Sequence, residues 1–116
     1  MIYGTGIDII EISRIEAAVK RWGNHFLEHV FTKEEIAYAQ NRKFPMQHYA
    51  ARFAVKEAVL KAFGKNSHIS WKDIQIVNDE DGKPVCTYIG KNFKRQILIS
   101  ISHSKHYAVA NAIITD

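Results

Sequence analysis

The chain holds one cysteine, Cys86, among its 116 residues. A single thiol closes no internal disulfide, so the fold must hold by packing, as proteins of a reducing compartment do. Zinc is no better served. The six histidines show no ligand spacing, which excludes a thiolate or zinc centre as the main chemistry. No apolar run approaches the length that crosses a bilayer, so no membrane partner is expected. The opening MIYGTGIDII lacks the basic region and small-residue cleavage site of a secretory leader, and a cytoplasmic location is expected. Repeats, low-complexity tracts and long linkers are also missing, and residues 1–116 read as a single domain. Gly4 and Gly6 begin like a dinucleotide fingerprint, but the third glycine is absent and no helix follows at once, which excludes that motif.

What is present is the composition of an ordinary globular protein, 47% hydrophobic and 24% charged. Lysine and arginine outnumber the acids 16 to 12, a net charge of +4 that favours an anionic partner. Nucleic acid, a phosphate-bearing small molecule and an acidic protein all meet that description.

Ile2 to Ile10 alternates with period two, with Tyr3, Thr5, Ile7 and Ile9 on one side and Gly4, Gly6, Asp8 and Ile10 on the other. Asp8 thus belongs to the side that glycine keeps bare, where another backbone or a ligand can approach closely. Ser13 to Glu16 has the form of a capping box, with Ile12 placed to staple against Ala17. It predicts a first helix with the stripe Ile15, Ala18, Val19 and Trp22, a stop at Gly23, and Arg14, Lys20 and Arg21 outside. A short helical turn at Phe26 to Val30 follows. Thr32 and Glu35 form a second capping box, opening a helix to about Asn41 that Phe44 and Pro45 end. Arg42 and Lys43 fall in the next connection.

The segment Ala50 to Gly64 reads as a central helix, apolar nearly all round. Glu57 and Lys61 stand out there, one above the other, with both flanks expected to be buried. Such a carboxylate is costly unless it is paired or binds a metal. The plain alternative is an i, i+4 salt bridge worth about 0.2–0.5 kcal/mol if exposed. Lys65 to Ser70 reads as a loop, and Asp73 to Asn78 with Pro84 to Tyr88 reads as a hairpin across the turn Asp79 to Gly82. Ile97 to Ser104 alternates, with Ile97, Ile99, Ile101 and His103 on one face. Its partner is Tyr107 to Ile114, reached through Lys105 and His106. A strand, then helices, then strands predicts an α+β fold with a largely antiparallel sheet.

Asp8 and Glu57 are acids placed among apolar neighbours on two different elements, which is how a magnesium site is assembled. Magnesium takes one or two carboxylates and completes its octahedron with water and substrate phosphates. Lys61 is then placed to neutralise a phosphate held by the same ion. His103, between Ser102 and Ser104, reads equally as a site residue and as a core histidine. Two rival classes remain. A magnesium nuclease would want a basic groove lined with aromatics or a recognition helix, and neither is visible. A scaffold that binds an acidic protein would use Glu57 and Lys61 only for packing.

Four blocks, GTGIDIIEISRI at 4–15, RFAVKEAVLKAFG at 52–64, DGKP at 81–84 and ISISHSKHYAVANAII at 99–114, together resemble the holo-acyl-carrier-protein synthases, the short bacterial type of 4′-phosphopantetheinyl transferase. The resemblance implies the 4′-phosphopantetheinyl transferase fold. It implies magnesium-dependent transfer of phosphopantetheine from coenzyme A to a serine of apo acyl carrier protein, in support of fatty acid biosynthesis. Asp8 and Glu57 match the family's metal ligands, and Lys61 matches the lysine near the pyrophosphate. Arg52, His103 and Ser104 fall where the family contacts coenzyme A, Gly82, Lys83 and Pro84 where it lines the adenine end, and Arg42 and Lys43 near the 3′-phosphate. It further implies a homotrimer with active sites between subunits, a carrier-docking helix presenting Arg14 and Arg21, and no nucleic-acid partner. Two departures stand out. Ile10 occupies the position where larger relatives carry a third acid, and the loop after Gly64 lacks a second early glycine.

Overall fold

The structure, a computed structural model, describes residues 1–89 and 93–116. The chain opens with strand β1 (Ile2–Glu11), then helices α1 (Ile12–Trp22), α2 (Asn24–Val30), α3 (Lys33–Gln40) and α4 (Pro45–Phe63). A single 3-10 turn (Trp71–Asp73) leads into β2 (Ile74–Asn78) and β3 (Pro84–Tyr88), and β4 (Gln96–His103) and β5 (Tyr107–Thr115) finish the chain. One sheet has the order β1-β5-β4, the other is the hairpin β2-β3, and every pairing among the described residues is antiparallel. This is the expected α+β arrangement, divided between two sheets.

Helix α4 is the element shared by both halves of the core. Ala54, Val55, Ala58 and Val59 pack with Ile74, Ile76, Ala110, Ala112 and Ile114 on its sheet side. Tyr49, Ala50 and Ala51 join Ile12, Ile15, Leu27, Val30 and Phe31 on its helical side. It starts five residues before Ala50, because Pro45 is its first residue rather than the end of α3. Proline suits that position: its missing N–H is one the helix leaves unpaired anyway, and its φ is already helical.

The approach of β1 to α4 is set by glycine. A Cβ built on Gly6 would land on the carbonyl oxygen of Ala58, and one on Gly4 on that of Ala62. The neighbouring strand keeps the same spacing, since Ala112 pairs with Gly6 and Ala110 with Asp8. The bare side of β1 therefore meets a helix backbone, and Asp8, on that side, is carried to α4.

The first capping box does not form. Helix α1 begins at Ile12, with Glu11 as its cap residue and no side-chain cap, so Ser13 already lies inside the helix. The backbone N–H of Ile12 donates instead to the carbonyl of His106, 2.8 Å away in the β4–β5 connection. The long strand β1 runs straight into the helix and supplies a tertiary partner where a cap would have served. Trp22, expected on the buried stripe, is over half exposed. The second capping box is present as read, with Thr32 and Glu35 bonded reciprocally.

Candidate active site

The buried charges of α4 are not the two that the helical pattern singles out. Glu57 is half-buried, Lys61 is 54% exposed, and the two are not paired. The side chain sealed in the core is Lys56. Its Nζ lies 2.7 Å from Glu35 Oε1 and donates to the carbonyls of Val30 at 3.0 Å, Trp71 at 2.9 Å and Ile74 at 2.8 Å. Glu35 Oε2 in turn accepts from the N–H of Ile76. Burial pushes the Lys56 ammonium below its usual pKa, and Glu35 opposes that shift. One helix residue thereby ties α2, α3, the 3-10 turn and β2 to α4. Glu35 carries two signals at once, and the capping box hides the second.

Asp8 and Glu57 line one cavity of about 290 Å³ with Ile10, Arg14, Ile15, Phe26 and Phe53 among its walls. Lys61 Nζ donates to Asp8 Oδ1 at 3.0 Å and to the Ile7 carbonyl at 2.9 Å. Glu57 Oε1 accepts from the indole N–H of Trp71 at 3.2 Å. Two carboxylates from separate elements thus converge on one open space, with an ammonium beside them. Among the described residues no three His, Cys, Asp or Glu side chains gather as a cage. Asp8 and Glu57 are the two carboxylates that could hold a hard cation here. Ile10 on the same wall supplies no third oxygen.

A second cavity, about 460 Å³, is lined by Tyr38, Arg42, Arg52, Asn78 and Gly82. The Arg42 and Arg52 guanidiniums lie 4.1 and 4.3 Å from the centre of the Tyr38 ring. Arg52 donates to Asn78 Oδ1 at 3.3 Å, while its buried Nε has no partner among the described residues. Two guanidiniums on one cavity wall make a place suited to an anion. His48 stacks edge-on against Tyr38, and its pKa is lowered by burial and then by Arg52 and Arg42.

The remaining expected residues are spread around these cavities. Lys43 is exposed beside Phe44, and its ammonium lies 5.6 Å from that ring. Lys83 donates its N–H to Asp79 Oδ1 in the hairpin turn, and Pro84 begins β3. His103 ends β4, exposed, and Ser104 Oγ accepts from the N–H of Tyr107. Arg21 lies over Trp22 at the end of α1, while Arg14 stands on the wall of the acidic cavity. The structure thus brings Asp8, Glu57, Lys61 and Arg14 together, and Arg42, Arg52 and Gly82 together. Lys43, Lys83, Pro84, His103 and Ser104 line neither cavity. Tyr38 and Trp71 were missed by sequence reasoning, because an aromatic beside an amphipathic run reads as core.

A family model described as the 4′-phosphopantetheinyl transferase superfamily matches residues 4–112. The chain belongs to that superfamily. Among curated relatives, this transferase is 50% identical to the holo-[acyl-carrier-protein] synthase of Protochlamydia amoebophila, over 97% of this chain and 98% of the other. It is 46% identical to that of Thermodesulfovibrio yellowstonii, over 99% and 100%. The fold matches the Bacillus anthracis holo-(acyl-carrier-protein) synthase in complex with CoA (3′,5′-ADP), with TM-score 0.87, 38% identity, and coverage of 100% of this chain and 98% of that one. The Helicobacter pylori synthase in complex with coenzyme A matches at TM-score 0.83 and 30% identity, over 96% and 99%.

Proposed function

We propose that this transferase moves the 4′-phosphopantetheine arm of coenzyme A onto a serine of apo acyl carrier protein, leaving adenosine 3′,5′-bisphosphate and serving fatty acid biosynthesis. The observation that carries the reading is the convergence of Asp8 and Glu57 on one cavity, with Lys61 beside them. Magnesium held by those two carboxylates would neutralise the pyrophosphate and activate its phosphorus toward attack.

The chain's own residues account for the rest. Arg42 and Arg52, whose guanidiniums both lie over Tyr38 on one cavity wall, bind the 3′-phosphate end of coenzyme A. Lys61, mostly exposed and on a flexible stem, swings between Asp8 and the departing bisphosphate oxygen, offsetting charge as the P–O bond breaks. The serine oxygen attacks that phosphorus, and its proton leaves to a carboxylate on the cavity wall or to water. Positioning and charge neutralisation carry most of phosphoryl transfer, so a site of few side chains suffices.

Helix α1 is the carrier-docking face. Arg14 borders the acidic cavity, so an acidic protein held by Arg14 and Arg21 would deliver its serine beside Asp8 and Glu57. The homotrimer finds its support on the outer face of the β1-β5-β4 sheet. Ile7, Ile9 and Leu98 are each more than half exposed there, an apolar area of the kind that subunit contacts cover. His103 and Ser104, outside both cavities of their own chain, then serve a neighbour's coenzyme A. Sedimentation showing only monomers would refute that assembly. Among the described residues no helix is long and apolar enough to cross a membrane.

Mass spectrometry tests the reaction directly. Apo acyl carrier protein incubated with this chain, coenzyme A and magnesium gains one phosphopantetheine; a carrier of unchanged mass refutes the proposal. In the same assay, the double variant R14E/R21E raises KM for the carrier about tenfold or more with little change in KM for coenzyme A. Equal carrier KM values would remove α1 as the docking face.

A further inference from the structure

We infer that Trp71 is a positioning residue for Glu57: its indole N–H holds one oxygen of the carboxylate and so presents the other to the cavity. The inference rests on the reading of Glu57 as a magnesium ligand. The bond from Trp71 Nε1 to Glu57 Oε1 is 3.2 Å long, and among the described residues Oε2 has no donor. A glutamate on a half-buried helix face otherwise turns freely about its last torsion, which is broad and weakly restrained. Tying one oxygen removes that freedom at the side chain where an ion would need it removed.

The indole is itself braced from several sides. Its ring centre lies 5.9 Å from that of Phe53, one turn before Glu57 on α4, and 5.8 Å from that of His29 on α2. Its backbone carbonyl accepts from Lys56, the residue next to Glu57, at 2.9 Å. Asp73 Oδ2 closes the 3-10 turn by accepting from the N–H of Ser70 at 2.9 Å. The buried Lys56–Glu35 pair therefore reaches the acidic cavity through the tryptophan. Groups that hydrogen-bond a metal ligand without touching the metal commonly change metal affinity or activity by about 10–100-fold when replaced.

W71F keeps an aromatic ring and removes only the donor. The magnesium concentration giving half-maximal transfer rises about tenfold, while the thermal unfolding midpoint stays within a few degrees. A second readout needs no turnover. In a magnesium titration of the ¹⁵N-labelled, coenzyme A-bound protein, the Trp71 indole signal, assigned as the one that persists in W22F, shifts while that of Trp22 does not. E57Q abolishes the shift. Unchanged magnesium dependence in W71F overturns the inference, as does an indole signal that magnesium leaves in place. The titration uses the unsubstituted chain and decides the matter even where W71F fails to fold. An E57Q enzyme with normal magnesium dependence overturns the ligand reading of Glu57 itself. E57Q with lost dependence beside an unaffected W71F overturns only the role of Trp71.

Discussion

Lys56→Met lowers the unfolding free energy by about 3–5 kcal/mol, the usual cost of leaving one member of a buried ion pair alone. A domain of this kind has about 5–15 kcal/mol in all, so the loss is a large share of its stability. The size follows from what the ammonium holds. Lys56 and Glu35 are both fully enclosed, and the ammonium also serves three backbone carbonyls from three other elements. With methionine there, those carbonyls lose a charged donor, and a carboxylate stays buried with only the Thr32 and Ile76 N–H groups. Urea denaturation followed by circular dichroism measures the change. The double variant K56M/E35Q recovers part of the loss, because it removes the uncompensated charge, although the glutamine oxygen can keep only one of the two backbone N–H contacts. A K56M variant within 1 kcal/mol of the parent would show that the pair contributes little. Cys86 lies in the same core with its thiol pushed up to about 12 by burial, and because unfolding exposes it the titration is run with a reductant.

The fold was legible where one physical signal acts alone. Period-two alternation marks β1, β4 and β5: β4 turns Ile97, Ile99 and Ile101 inward, while β1 turns its glycine side toward α4 and leaves Ile7 and Ile9 outside. The Asp79–Gly82 turn closes as read, with Gly82 at φ 81°. Thr32 and Glu35 cap α3 even though Lys56 and Ile76 also reach Glu35, because the carboxylate's two oxygens serve the cap and the tertiary partners together. Where a distant partner displaced the local one, the local signal failed. Ser13 lost its role to the His106 carbonyl, and Pro45 opened a helix instead of closing one.

The site divides in the same way. Asp8 was legible because glycine at alternate positions marks the side of β1 that meets something closely. Arg42 and Arg52 meet across a cavity, ten residues apart in sequence, because the connection from α3 to α4 turns the chain back. The error over Lys56 has a plain cause. Helical spacing shows which residues share a face, but not which face the rest of the chain covers. Lys56 and Glu57 are neighbours, rotated by about 100° from one another. That rotation puts one into the core under α2, α3 and β2, and the other on a cavity wall. Trp71 and Tyr38 reach the site from other elements, and no spacing within one helix announces them.

The shared cavity makes Asp8→Asn and Glu57→Gln the most damaging conservative changes to activity. Each replaces one oxygen by a nitrogen of nearly equal size and removes one negative charge. A divalent ion contributes several kcal/mol of charge stabilisation to such a transfer, and each ~1.4 kcal/mol is about tenfold in rate. Turnover falls by about a thousand-fold or more in either variant. Stability is nearly untouched in D8N, since the lost Lys61–Asp8 pair involves an ammonium that is more than half exposed, and such pairs contribute about 0–1 kcal/mol. E57Q can still accept from Trp71 through its amide oxygen, so the wall keeps its shape. A rate assay across magnesium concentrations, beside a thermal melt of each variant, separates loss of chemistry from loss of fold. If one ion is held by both acids, as proposed, D8N and E57Q together cost little more than either alone, because each single variant already loses it. Rate losses that multiply in the double variant would mean that the two carboxylates act independently, and either single variant with near-normal turnover would remove that acid from the site.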